Sequence, residues 1–493
     1  MSFAKIRSPS IDPLTGDKVL PLRFWDTNDV FLKLALDFTF RFDDVLDPEK
    51  LRLSLEHLVT IGNWHQIGAR YKKNAAGKIE VHIPQCYDEK KPAIVWSHDD
   101  RQQSILENEL ARRLPEHAKA LRPTLYEDAS TFKSLVARSG RPTKLEQWIE
   151  QGHPGLSVHV VSFTDATLVT LSWNHVFFDA LGRQDFLLAW QAVLNGKDDE
   201  VPTFIPYEED PLVSLAEGAD PRSHVLYGLA LTGIWYVLFV MSFIYEVVVH
   251  SKEAGRMVRF PKAWVDDLRE EAMAELRTKG VAEEDAFLSH GDVLLAFWAK
   301  TTLAAQHLRP SQPLYMINAM NLRGASEEVP VPGRVAYIGN AAMGSITIST
   351  AADIERLSVS ELAGRIREDL KRQRAPDQVR AQVAWQLQCY SKGARAPMSG
   401  HWNQLMFSWS NWSRAKFFNV DFSSAVVKTG LPDIERSTKI GQPSLVMNGG
   451  HTNGISLRNG GPLIGQDANG DWWANWVMRA EAWPLVEEAL SKI

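Results

Sequence analysis

The sequence predicts an α/β fold built as two lobes. Three observations carry that expectation. Strand-like and helix-like segments alternate along the chain. The alternation restarts after a polar, proline-containing connection, 195–222, and an uncharged run, Val225 to Tyr245. The length of 493 residues suits two or three domains, or a pair of large lobes. The expected division is a first lobe over 1–200, a connection over 201–255 and a second lobe over 256–493.

Taken in order, the first segment opens with a proline-punctuated arm (Ser8, Pro9, Pro13, Pro21). An alternating run, Phe31 to Phe42, reads as a strand. Asp47-Pro48-Glu49 starts a helix with Leu51, Leu55 and Leu58 on one face. Gly68 to Ile83 reads as a hairpin around Ala76-Gly77, and the charged stretch Asp99 to Lys119 as mostly helical. Leu156 to Phe163 and Ala166 to Trp173 are apolar strands, Asn174 to Asp179 a turn, and Leu181 to Leu194 a helix with Phe186, Leu187, Trp190 and Val193 together.

Beyond the connection, Arg256 to Phe260 is a strand and Lys262 to Lys279 a helix. Ser289 and Asp292 form a capping box ahead of a helix from Val293 to Ala305. Leu314 to Leu322, Leu405 to Trp409 and Phe417 to Phe422 read as strands. Asn469-Gly470 predicts a type I′ hairpin between Leu463 and Trp476.

Composition narrows the function. Charged residues make up 23% and apolar ones 45%, which excludes fibrous and disordered classes. A net charge of -6 leaves no basic footprint for nucleic acid. Cys86 and Cys389 fit no disulfide framework, metal or redox spacing, so no metal is expected. The start, Met1 to Arg7, lacks a signal-peptide core, so the expected compartment is the cytoplasm. No P-loop, GxGxxG, GxSxG or HExxH is present, which argues against the chemistries those motifs carry.

What remains is His175-Val176-Phe177-Phe178-Asp179, closing an apolar strand and opening a helix, with Gly182 just beyond. Such a turn presents a side chain at a sheet edge, where clefts form. An imidazole there can take a proton from a hydroxyl or amine near neutral pH. Asp179 is then a supporting partner. A hydrogen-bonded histidine beside a helix-capping carboxylate fits the same letters.

Further landmarks follow in order. They are the Ser289 to Leu295 helix start, Asn321-Leu322-Arg323, Tyr337-Ile338-Gly339-Asn340, Phe407-Ser408-Trp409-Ser410 and Asp421-Phe422-Ser423-Ser424-Ala425. With the HxxxD segment, they make the whole chain resemble the BAHD acyl-CoA-dependent acyltransferases, in the branch that serves fungal secondary metabolism. That family carries HxxxDG, S-x-x-D-V-L, N-L-R, Y-x-G-N, T-S-W and DFGWG. Here the glycine of the first motif is displaced to Gly182, and Ser423-Ser424-Ala425 replaces Gly-Trp-Gly. The second departure bears on loop geometry, since two positions free to take positive φ are lost.

The resemblance implies two chloramphenicol-acetyltransferase-like lobes sharing a central tunnel. It implies acyl-CoA as co-substrate with no bound cofactor, and a small-molecule acceptor such as a terpenoid or polyketide alcohol, or an amine. Acetyl is the expected acyl group and a monomer the expected state. His175 is implied as general base, Asp179 and Arg323 as a structural pair, and Ser408 or Trp409 as the oxyanion donor. Asp421 has either a special role or that of a turn cap. Two other readings share the fold: a freestanding condensation-type domain using a carrier-protein donor, and an inactive ligand-binding relative. Asn174, where a condensation domain has a second histidine, disfavours the first, and the presence of His175 disfavours the second.

Trp173, Trp190, Trp298 and Trp385 fall on apolar faces and are expected in the core; Trp402, Trp409 and Trp412 cluster near the implied tunnel. Lys252, Arg256, Arg259 and Lys262 are either a solvated strand end or a lure for CoA phosphates. The uncharged run 225–245 has the length of a membrane span. A span would separate His175 from Arg323, Ser408 and Asp421. The expectation is therefore a helix packed on the body or a peripheral, monotopic membrane contact.

Overall fold

The alternating run forms a strand from Leu34, not Phe31. Asp29–Leu32 is instead one helical turn, capped by Asn28. In the computed structural model this strand, β1 (Leu34–Phe42), lies inside a five-stranded sheet. The structure describes residues 9–116, 120–325, 327, 329, 331, 333–392, 396–432 and 436–493. Ser8 and 117–119 of the expected arm and charged stretch lie outside these.

Helix α1 (Pro48–Leu58) begins where expected. Asp47 accepts from the backbone N–H of Glu49 and Lys50, and Pro48 supplies a pre-set φ. The hairpin of Arg70–Lys73 and Ile79–Ile83 belongs to a small four-stranded sheet. Strands β2 (Val95–Asp100), β4 (Leu156–Ser162) and β5 (Thr167–Asn174) complete the larger sheet beside β1. Between β2 and β4 in the chain, β3 (Thr124–Tyr126) pairs elsewhere. After β5 comes helix α2 (Ala180–Leu194).

The stretch 99–116 is not helical as expected. Its start extends β2, Gln102 takes φ 46°, and only two 3-10 turns follow, Ile105–Glu107 and Ala111–Arg113. The connection 195–222 is packed: Phe204 and Leu212 are buried, and Thr203–Phe204 pairs with Val335–Ala336.

Helix α3 (Ile234–Val249) covers most of the uncharged run. Its inner side carries Phe239, the only buried residue of the helix, and Glu246, which accepts from Arg479. Ile234, Val237, Met241, Ile244, Tyr245 and Val248 are exposed at helical spacing. Among the described residues no helix is long and apolar enough to cross a membrane.

The second sheet has seven strands: β6 (Glu253–Phe260), β7 (Pro313–Asn321), β8 (Ala342–Thr350), β9 (Leu405–Asn411), β11 (Gly460–Gln466), β12 (Trp472–Arg479), and β3 from the first part of the chain. Their order is β8-β7-β9-β11-β12-β6-β3. Strand β10 (Pro443–Thr452) returns the exchange by pairing antiparallel with β1, giving the order β10-β1-β5-β4-β2. Helices α4 (Lys262–Thr278), α5 (His290–Ala304) and α6 (Val359–Gln373) pack together on the second sheet, and α7 (Pro376–Ser391) follows. The expected capping box is present, Ser289 and Asp292 exchanging backbone hydrogen bonds.

One strand expectation and one turn expectation fail. Lys416 takes φ 48°, and Phe417–Asn419 is a 3-10 turn that buries Phe417 and Phe418, so no strand spans Phe417 to Phe422. In the 467–471 turn Gly470 takes φ 83°, but Asn469 is not among the residues at positive φ, so the turn is not type I′. The four tryptophans expected in the core are buried. Arg259 pairs with Asp471 at 2.7 Å and is buried, which removes it from any phosphate lure.

Candidate active site

Strand β5 is buried along its whole length, so the chain must leave the sheet sharply at its end. Asn174 organises that exit. Its Oδ1 accepts from the Val176 N–H at 3.2 Å, and its amide donates to the Leu32 carbonyl at 3.2 Å. His175 N–H donates to the Leu34 carbonyl at 2.8 Å. The imidazole stacks on Phe31, with ring centroids 4.4 Å apart and planes 6° from parallel.

Nδ1 of His175 is enclosed with no hydrogen-bond partner. Burial holds the imidazole below its usual 6.5; the residue's own backbone, Asp179 and the Asn340 side chain partly oppose the shift, and Arg183 adds to it. The His175 carbonyl accepts from the Asn340 amide at 2.9 Å, and the same amide donates to Asp26 at 2.7 Å. Burial pushes Asp26 up to about 7, against the pull of Arg23 and the Asn340 hydrogen bonds.

Asp179 caps α2. One carboxylate oxygen accepts from Leu181 N–H at 3.1 Å and Gly182 N–H at 2.9 Å. The other accepts from Arg323 Nη1 at 2.9 Å and Ala341 N–H at 2.8 Å. Burial pushes this carboxyl up, but Arg323 and the backbone donors outweigh it and the net shift is downward. Arg323 also donates through Nη2 to the carbonyls of Tyr337 and Gly339, both at 3.0 Å. Gly182 explains the displaced glycine: a Cβ there would sit 2.9 Å from Phe178 Cβ and 3.0 Å from the Gly339 carbonyl.

On the other lobe, parallel pairing of β7 and β9 sets Ala319 opposite Ser410, just before Asn321-Leu322-Arg323. Alternation along β9 decides which side chains face which way. Leu405, Phe407 and Trp409 are buried in the second-lobe core, where Trp409 lies 5.8 Å from Trp476. Trp409 is therefore a core residue, and its Nε1 is enclosed without a partner. Ser408 is exposed and Ser410 half-buried on the opposite face of the strand. Trp412 Nε1 donates to Ser410 Oγ at 2.8 Å, and the Trp412 ring lies 4.8 Å from the Arg183 guanidinium. The Ser410–Trp412 pair was missed in the sequence, although polar residues at even positions of Phe407-Ser408-Trp409-Ser410 signal the accessible face.

Asp421 caps a turn, accepting from Ser423 N–H at 2.9 Å, while its own N–H donates to Gln191 at 2.6 Å. Phe422 is buried against Phe42 and Trp190. The DF pair thus joins the segment to α2 and β1, away from the imidazole. Among the described residues no group of three or more His, Cys, Asp or Glu is placed to hold a metal ion.

Comparison with known proteins gives the family and the fold. The Transferase family matches residues 126–450. The chain is 34% identical over 508 residues to acetyltransferase sphE of Aspergillus fumigatus, covering 99% of this chain and 98% of that one. It is 32% identical over 493 residues to acetyltransferase adrJ of Penicillium roqueforti, covering 100% and 99%. In fold it is similar to F. sporotrichioides TRI101 complexed with coenzyme A and T-2, with a TM-score of 0.67 and 16% identity over 96% of this chain and 98% of that one. The two-lobed architecture, the HxxxD turn tied to the N-L-R arginine and the full-length relatives agree: the chain belongs to the Transferase family, the BAHD-type acyl-CoA-dependent acyltransferases, in its fungal secondary-metabolism branch.

Proposed function

We propose that the protein moves an acetyl group from acetyl-CoA to a hydroxyl of a terpenoid or polyketide, with His175 as general base. One observation carries the assignment of the base. The imidazole is stacked on Phe31 at the turn that opens α2, with Nδ1 enclosed and without a hydrogen-bond partner. Burial keeps the imidazole neutral, and Nε2 is taken as the nitrogen that receives the proton. Nε2 takes the proton of the acceptor hydroxyl as the acceptor oxygen attacks the thioester carbonyl carbon. The tetrahedral intermediate carries its negative charge on the former carbonyl oxygen. Collapse breaks the carbon–sulfur bond, and the imidazolium returns its proton to the leaving CoA thiolate. The products are an ester and free CoA.

The oxyanion donor is best assigned to the accessible face of β9, to Ser408 or to Ser410, whose Oγ already accepts the Trp412 indole and so keeps its O–H free to donate. Asp179 and Arg323 shape the turn and transfer no proton. The lobes are taken as 1–200 and 256–493 joined through 201–255, with β3 and β10 exchanged between them. The working state is a cytoplasmic monomer. The apolar face of α3 lies against a membrane surface, close to where apolar acceptors partition.

The test incubates the enzyme with a panel of acyl-CoAs and terpenoid or polyketide alcohols and reads free thiol release. Acceptor-dependent thiol is expected with acetyl-CoA. His175→Ala is expected to fold and to lose at least about 10²-fold in turnover. Near-wild-type turnover in that folded variant would overturn the assignment of the base.

A further inference from the structure

Arg183 stands one turn into α2 and is 1% exposed. Its Nε and Nη2 are enclosed with no acceptor, and Nη1 donates to no described residue. The carboxylate that acts on it, Asp179 one turn back, is already occupied by Arg323, Ala341, Leu181 and Gly182, and Asp185, two residues on, accepts from the Tyr337 N–H. What surrounds the guanidinium is aromatic. Its central carbon lies 3.6 Å from the Phe38 ring centroid, 4.3 Å from Phe417, 4.8 Å from Trp412 and 5.1 Å from Trp173.

Those rings come from two places. Phe38 is in β1 and Trp173 in β5, both in the five-stranded sheet. Trp412 and Phe417 lie just beyond β9 of the seven-stranded sheet. The cation therefore sits where two chain segments meet in one core, Phe38 lying 4.7 Å from Phe417 and 6.3 Å from Trp412. Cation–π attraction strengthens when the site is desolvated, as here. A methionine of similar volume would fill the same box without the cost of burying a charge, so bulk alone does not account for an arginine. Trp412 is also the ring whose Nε1–H is bound to Ser410 Oγ.

We propose that Arg183 is a positioning residue for acyl transfer: its guanidinium holds the Trp412 ring against β1 and so fixes the Trp412–Ser410 pair relative to the helix that begins at the His175 turn. The inference rests on the reading of Ser410 as an oxyanion donor. It assigns Arg183 no contact with either substrate. Loss of the clamp should therefore lower kcat and leave the KM for acetyl-CoA nearly unchanged.

The test uses Arg183→Met and Arg183→Lys in the full chain. Kinetics are read with acetyl-CoA and the best alcohol from the acceptor panel. In parallel, protein labelled with 5-fluorotryptophan is followed by fluorine NMR, with the Trp412 resonance assigned through Trp412→Phe. Arg183→Met should lower kcat about 10-fold with KM within about 3-fold, and should shift or broaden the Trp412 resonance. Arg183→Lys keeps a cation over the rings and should recover part of both signals. A wild-type kcat, or an unmoved Trp412 resonance, in folded Arg183→Met overturns the clamp. If Arg183→Met does not fold, Arg183→Lys is combined with Trp412→Phe. Non-additive kcat losses support the clamp and additive ones overturn it. If wild type acylates no alcohol in the panel, the acyl-transfer reading fails instead, while the NMR arm still reports whether Arg183 holds Trp412.

Discussion

Two buried charged centres sit one helical turn apart on α2 and solve burial in opposite ways. Asp179 meets a countercharge: Arg323 and three backbone N–H groups fill both of its oxygens. Arg183 meets no countercharge within hydrogen-bonding reach and is enclosed by four rings. The first centre fixes the geometry of a turn, because each of its bonds has a defined direction. The second holds surfaces together, because π faces attract a cation over a broad area. The helix thus begins with a rigid knot next to the imidazole and continues with a clamp on the segment that follows β9.

Cutting the knot should have the largest effect. Asp179→Asn or Arg323→Ala strands one buried charge, which costs about 3–5 kcal/mol. A double variant, Asp179→Asn with Arg323→Met, leaves no buried charge and should melt closer to wild type than either single. If both singles melt like wild type, the pair carries no stability. The clamp supplies the contrast: Arg183→Met removes an unpaired charge at similar volume and should change stability by less than about 1.5 kcal/mol. Acid adds a second check on the knot. The Asp179 carboxyl lies below its ordinary 3.8 in the folded chain. Its contribution is therefore present above that value and is lost as pH falls through the lowered folded pKa. Thermal scans below pH 4 should show a steeper loss for wild type than for the double variant.

A smaller effect concerns the base itself. Burial holds the His175 imidazole below 6.5, so the neutral, proton-accepting form persists at pH values where a free imidazole is charged. The acidic limb of the kcat/KM profile should accordingly fall below 6.5. A limb at or above 6.5 would mean that the imidazole is solvated in the working enzyme.

How much of this was legible in the sequence depended on distance along the chain. The cap of α2 could be read because Asp179 and the backbone N–H groups that donate to it lie within three residues. The ordered landmarks reached as far as Arg323, 144 positions away. Asp26 could not be read: Asn340 belongs to a landmark segment, but nothing in the sequence marks Asp26 as its partner 314 positions away. Of the two β9 donors the sequence offered, Ser408 lies on the accessible face, whereas strand parity sends Trp409 into the core beside Trp476. Strand β10 escaped because Gly449 and Gly450 dilute its apolar pattern, although its pairing with β1 joins the lobes. The 99–116 stretch is charged like an exposed helix, but the left-handed Gln102 and the pairing of β2 with β4 rule one out.

The smallest expected effect on catalysis, and the sharpest separation of fold from location, belongs to α3. The helix is 16 residues, about 24 Å, and no Lys or Arg lies on it. Its inner side is anchored through Phe239 and through Glu246 bound by Arg479. Trp235 is 54% exposed and Met241 61% exposed, so neither side chain supports the core. Replacing both with serine should leave melting within about 2 °C and acyl transfer to a water-soluble alcohol within about 2-fold, as is usual for substitutions away from packed sites. If α3 rests on lipid, the same variant should lose flotation with phosphatidylcholine vesicles, since the apolar area buried in the interface sets the binding strength. Neutral vesicles are the right probe because the helix has no basic residue to attract anionic headgroups. Unchanged flotation would place the membrane contact elsewhere or remove it. A loss of transfer to the soluble alcohol would instead show that α3 supports the body of the enzyme.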